Sequence, residues 1–412
     1  MSTHPLDAVI EGHMCSGCGA CAYLGAENGI RMQDVPSIGS RPVGVKALPI
    51  EVKDRIVAVC PGARVRSPAA DRPAPRDYDE LLVGPAERIW EGWAADPVVR
   101  RRASSGGIVT ALAAYCVERL GMRLVVHTGM EPARPWTIRT VTSSDSEGLV
   151  ANAGSRYAPS SPVEALRLIE EADGPCVFIG KPCDVAAVAE LRKQRPALDR
   201  NLGAVLSFFC AGTPASAGSL GLAESLGFEG AGIASLHYRG DGWPGRFRVR
   251  GRDGQEASLS YDESWGALAR RHRQLRCQVC PDGLGELADV TGGDAWHRRD
   301  ESPDGISVVL ARTALGRKLV EDAAAAGYLE LAPGDARRVV AAQGLVRRRK
   351  LVAARLTALG ILGLPVPRFR GFHLWRAARP LGPVRFVREV AGTLRRGLAR
   401  GYRRAETYEE ER

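Results

Sequence analysis

The chain has 412 residues, 45% apolar and 25% charged, the balance of a folded soluble protein with length for two or three domains. A mainly disordered chain or a membrane-embedded one is excluded. The net charge of +10 is uneven: residues from Arg337 onward include 19 basic and 5 acidic side chains, a net of +14, which leaves residues 1–336 at −4. Ten cysteines are too many for chance and too irregularly spaced for a disulfide-stapled mini-domain.

The opening MSTHPLDAVIEGHMC has no apolar stretch or cleavage site of a secretory signal, so a cytoplasmic, reducing setting is expected. Clustered cysteines there serve as metal or redox ligands. Residues 1–66 carry four of them and read as short loops with little helical periodicity, organised around a metal. Cys15, Cys18 and Cys21 stand in CSGCGAC, and Cys60 stands in CPG. Three closely spaced thiolates plus a distant Cys-Pro is the single-cluster ferredoxin arrangement, and the small intervening residues let the backbone wrap a 4Fe–4S cubane. Zinc on the same thiolates is the alternative, although zinc sites usually pair two Cys-x-x-Cys units. Residues 67–88, Pro-rich and charged, read as an extended linker.

Residues 89–336 alternate helical and strand patterns, the mark of a mixed α/β domain. Helices are expected over 108–120, 162–171 and 184–193, and strands over 123–128, 176–180 and 204–210; residues 235–259 read as antiparallel hairpins. Cys183 (GKPCD) and Cys210 (FFCAG) follow buried strands, at the strand end where α/β proteins bind ligands. Cys277 and Cys280 lie in CQVCPD. Spacing alone leaves both a converging metal site and separate core thiols open. Cys116 and Cys176 read as packing residues.

SSGG at 104–107 precedes a helix and would face an anion with hydroxyls and bare amides, as GGDAW at 292–296 would with close backbone. A helix cap and a turn are the plain alternatives. There is no dinucleotide or Walker motif and no i, i+4 histidine pair. Without a binding motif or interleaved aromatics, nucleic acid is not expected as a partner. Residues 337–412 read as a basic helical extension. Its apolar patch LTALGILGLPVP at 356–367 is too short to span a bilayer. With Phe369, Phe372 and Trp375 it suits peripheral contact with an anionic membrane, here the inner membrane surface, or an acidic partner; a solvated helical face is the alternative.

Taken together, SSGG with its helix, GSRYAPS at 154–160, FIGKPCD, FFCAGTP, YRGDGWPGR and CQVCPDGLGELADVTGGDAW resemble, in order and context, the coenzyme F420 hydrogenase/dehydrogenase beta-subunit family. The resemblance runs from residue 10 to about residue 350. It implies a ferredoxin-like module followed by a flavin-binding α/β domain, with two 4Fe–4S clusters and FAD. The second cluster would sit on Cys183, Cys210, Cys277 and Cys280. Flavin contacts are implied near Ser104, Ser105, Gly106, Gly107, Ser155, Tyr157, Lys181, Arg239, Trp243 and Gly245, with Asp294 and Trp296 lining the same pocket. Lys181 or Arg239 would stabilise anionic reduced flavin or an acidic substrate. The implied activity is electron transfer between the clusters, FAD and coenzyme F420 or a similar hydride acceptor. Alternatives are a ferredoxin-dependent reductase of a tetrapyrrole or other unsaturated small molecule, and an electron-relay subunit without a substrate of its own. Ferredoxin or a redox partner subunit is the implied partner.

Overall fold

The computed structural model describes residues 4–410. Its centre is an eight-stranded mixed sheet in the order 329–333, 88–94, 307–311, 290–294, 202–208, 176–180, 125–130, 138–143. The four strands Val125–Met130, Cys176–Gly180, Leu202–Phe208 and Val290–Asp294 run parallel to one another, and antiparallel strands flank them on both sides. The two central parallel strands are apolar at successive positions, 177–179 and 204–206, because both faces are covered. Val177 and Ala204 point into a core with the Ile108–Glu118 and Ala314–Ala325 helices, whereas Phe178 and Val205 point into the opposite core with Pro182–Leu191. Cys116 and Cys176 are fully buried in these two cores.

Most expected elements of this domain form. The 162–171 helix divides into a 3-10 turn at Pro162–Leu166 and one α-turn at Arg167–Glu170, and the 235–259 hairpins become a three-stranded antiparallel sheet.

Three expectations are corrected. The first segment is not mostly loop: it contains helices Pro5–Glu11, Ala20–Leu24 and Ile50–Val59 and a hairpin, Arg31–Val35 with Gly39–Val43. The hydrophobic positions of the longest helix are its i, i+4, i+7 set Val52, Ile56 and Val59, all buried. The stretch read as an extended connector carries a helix, Tyr78–Val83, capped by Asp77 and burying Leu81, Leu82 and Val83. The basic C-terminal region is no appendage. Its strand Arg368–Arg370 pairs in parallel with Arg64–Arg66, and Val339, Ala342, Val346 and Ala377 share a core with Leu81–Val83 and Val308. No described helix is long and apolar enough to cross a membrane.

Candidate redox site

Two glycines set the loop of the first cysteine group. Gly17 and Gly19 have φ of +69° and +97°; a Cβ on Gly17 would lie 2.8 Å from the Ser40 carbonyl, and one on Gly19 2.7 Å from that of Ser161. The loop is pinned to the α/β domain: Ser161 donates its hydroxyl to the Gly17 carbonyl at 2.8 Å, and the Val163 amide donates to the Cys18 carbonyl at 3.1 Å. Cys15, Cys18, Cys21 and Cys60 are all buried. Burial pushes their thiols up, Cys60 to about 11, and Cys18, Cys21 and Cys60 are raised further by the negative charge that their cysteine neighbours would carry. The group is therefore one electrostatic unit. The Gly17 amide points at the Cys15 Sγ, 3.4 Å away.

Cys183, Cys210, Cys277 and Cys280 converge on one small pocket of about 40 Å³. Burial is again the main cause that raises Cys183, Cys280 and Cys210, the last to about 12. The Thr213 amide donates to the Cys277 Sγ at 3.3 Å. The loops are held by arginines from the C-terminal region. Arg348 donates to the Ala211 carbonyl and Arg355 to that of Gln278, while Arg349 donates to the Pro281 carbonyl and pairs with buried Glu286. Arg276, 2% exposed, donates to the carbonyl of Pro61, next to Cys60, and its charge also lies beside Cys280 and Cys183. It stands between the two cysteine groups.

Among the described residues no group of three or more His, Cys, Asp or Glu is arranged to hold a metal ion. Each group nevertheless brings together four thiols with an amide aimed at sulfur, donor chemistry that fits a cubane, where each thiolate binds a different iron; in the second group Asp184 also lies 4.0 Å from the Cys183 Sγ.

A larger cavity of about 250 Å³ opens at the carboxyl ends of the parallel strands, the position at which α/β sheets bind ligands. Ser104, Ser105, Gly107, Ser155, Tyr157, Lys181, Arg239, Asp294 and Trp296 line it. Gly106, Trp243 and Gly245 do not. Trp243 supports from behind, donating its indole N–H to Asp294 Oδ1 at 2.7 Å and stacking on Trp296 at 5.3 Å. Gly245 makes a tight turn against the Arg239 backbone. Ser104 accepts the Ser155 amide at 2.8 Å and so joins two lining loops.

The Ser105 hydroxyl is buried without a hydrogen-bond partner. Ser105, Gly106 and Gly107 all have positive φ and lead directly into the Ile108–Glu118 helix, so an unsatisfied donor and a helix N-terminus meet at the cavity wall. Such an arrangement can accept an oxyanion.

The two predicted cationic side chains are already matched. Lys181 Nζ donates to Asp184 Oδ2 at 2.8 Å and to Ser160; burial opposes its charge, but Asp184 and Cys183 hold it above the ordinary lysine range. Arg239 is not at the surface: it is buried in a two-pronged pair with Asp294.

The sequence reading missed Arg156, Tyr261, Trp265 and His127, which also line the cavity. Arg156 donates only to the Asn152 and Gly154 carbonyls and has no carboxylate partner among the described residues; burial, then Arg102, pulls its guanidinium down to about 10. It stands within GSRYAPS, the signal that could have found it. Tyr157 packs on Trp265 at 4.6 Å, and Tyr261 stacks on Trp296 at 5.0 Å. Nothing local marks that pair, because SYDE reads as an ordinary capping box and forms one.

Two family descriptions match the chain: the coenzyme F420 hydrogenase/dehydrogenase beta subunit N-terminal part over residues 89–167 and its C-terminal part over 175–337. The chain belongs to this family. Coenzyme F420 hydrogenase subunit beta of Methanothermobacter thermautotrophicus is 26% identical over 303 residues, covering 70% of this chain and 100% of the relative. That of Methanococcus voltae is 28% identical over 295 residues, covering 66% and 95%. The F420-dependent formate dehydrogenase subunit beta of Methanocaldococcus jannaschii is 28% identical, covering 58% and 60%. A chain in the F420-reducing [NiFe] hydrogenase complex from Methanosarcina barkeri shares the fold, with a TM-score of 0.53 at 22% identity over 67% of this chain and 94% of that one. Membership of this beta-subunit family makes the chain an oxidoreductase.

Proposed function

We propose that the chain is an iron–sulfur flavoprotein that exchanges electrons between a redox partner subunit and coenzyme F420 or a similar hydride acceptor. One observation carries the reading: Cys210, Gly212, Thr213 and Leu345 line both the four-cysteine pocket and the large cavity, so the two compartments share a wall. Cys15, Cys18, Cys21 and Cys60 would hold one 4Fe–4S cluster, Cys183, Cys210, Cys277 and Cys280 the second, and the cavity FAD. Such groups, when bound, supply the conversion between single-electron and hydride transfer.

The protein's own residues bind and orient. Ser105 and the amides entering the Ile108–Glu118 helix take a phosphate, and Arg156 supplies the unmatched positive charge. Tyr157, Tyr261, Trp265 and Trp296 wall out water. Arg239, fixed by Asp294, presents a positive edge toward an anionic ring or an acidic substrate. Lys181, neutralised by Asp184, ties the Ser160 loop to the strand end that leads to Cys183.

Iron and flavin analysis of anaerobically purified protein tests the cofactor set: about eight irons and one flavin per chain are expected, and about four irons or fewer, or no flavin, overturns it. Stopped-flow mixing with reduced F420 tests the acceptor through bleaching of the flavin absorbance. A relay subunit without its own substrate is the second reading, favoured by the relatives being named as subunits. It predicts inertness toward F420 alongside full reduction by the partner.

A further inference from the structure

The arginines of the C-terminal region divide into two sets. Arg348, Arg349 and Arg355 turn inward and hold the cysteine loops. Arg379, Arg385, Arg388 and Arg395 point outward, and none pairs with a carboxylate among the described residues. Three of these outward arginines lie on the 18-residue helix Gly382–Ala399. That helix packs beside Arg349–Ile361: Glu389 bonds to Arg355 at 2.7 Å, and Leu362 fills the space at Gly397. Thr393 and Gly397 mark its buried side.

Its free side is not uniformly polar. Val384, Val387 and Leu398 are 70%, 65% and 57% exposed. At helical spacing they fall with Ala391 in one strip about 60° wide, and Arg395, Arg388 and Arg385 follow alongside. Trp375, 70% exposed, stacks at 5.8 Å on Phe386, which lies on the side of the helix turned toward Thr393 and Gly397 and away from the strip. The only acidic side chain on the helix, Glu389, is engaged by Arg355 and Arg396.

We propose that this face is a docking surface for an anionic lipid bilayer. An exposed apolar strip running the length of a helix, bordered by unpaired arginines, matches the depth profile of a lipid interface: acyl chains, then phosphates. An acidic protein patch would answer the arginines but leave the strip uncovered. Residues 1–336 carry a net charge of −4 while those from Arg337 onward carry +14, so an anionic surface favours the orientation in which the C-terminal region, with this helix, faces it.

Vesicle flotation of the full-length holoprotein tests it, using phosphatidylcholine with and without about a third phosphatidylglycerol. Binding is expected only to the anionic vesicles, weakening at about 1 M salt. Val384→Gln with Val387→Gln should weaken it at least about tenfold. Arg385→Gln, Arg388→Gln and Arg395→Gln should weaken it about fivefold each, with iron content unchanged. Equal binding to neutral and anionic vesicles, or indifference to the valine pair, overturns the proposal. So does a dimer in sedimentation that the valine pair dissociates, since the strip is then covered by a second copy.

Discussion

Arg239 and Asp294 form a buried two-pronged ion pair, Nη1 to Oδ2 at 2.9 Å and Nη2 to Oδ1 at 2.5 Å, at the carboxyl end of the Val290–Asp294 strand. The guanidinium also lies over the rings of Tyr261 and Trp296, 5.0 and 5.3 Å from their centroids. Asp294→Asn keeps the shape and removes the counter-charge, leaving a buried cation. It should destabilise the protein by about 3 kcal/mol, seen as a lower urea midpoint at unchanged slope. If the cavity binds flavin, fluorescence titration should also show weaker flavin affinity.

Replacing one thiol distinguishes ligands from packing residues. Cys210→Ser should remove about four irons per chain, and because Cys210 lines both compartments it should also disturb the flavin spectrum. Cys116→Ser, in the core behind the sheet, should cost stability while iron per chain stays the same. Equal iron loss in both variants would show that neither reports a specific ligand.

The chain end is bound to the first cysteine module. Glu406 pairs with Arg41, which is 1% exposed, and with His13 Nδ1 at 3.1 Å; Tyr408 donates to the Pro42 carbonyl at 2.6 Å. Glu406→Gln strands the buried Arg41 charge and should cost about 3 kcal/mol. The loss should be local. Hydrogen exchange in residues 5–59 is expected to rise while the central sheet stays protected.

His127, buried on the cavity wall, bonds to Ser143 Oγ at 2.8 Å; burial, then Arg156, pulls it down to about 4. A histidine depressed in the folded state is protonated first in the unfolded chain. Stability is therefore full above pH about 6.5 and falls as pH drops toward 4, by up to about 3 kcal/mol. Melting curves across that range should show the slope, and His127→Gln should flatten it.

By itself the sequence determined the local features. The CSGCGAC spacing with its two left-handed glycines, the doubly buried runs at 176–180 and 202–208, and the SSGG entry to a helix are set by residues within a few positions of one another. The tertiary structure decided the rest, for two reasons. Cys183, Cys210 and Cys277 are far apart along the chain; the first two meet because they follow neighbouring parallel strands of one sheet, and Cys277 joins them from the short helix Leu275–Gln278. The partner of a buried charge is whichever opposite group the fold brings within reach. No spacing in the sequence pairs Arg239 with Asp294, Arg349 with Glu286 or Arg41 with Glu406, yet those pairs turn a chain read as linker, domain and tail into one structure. The +14 of the C-terminal region is divided in the same way, between arginines that hold the cysteine loops and arginines that face outward.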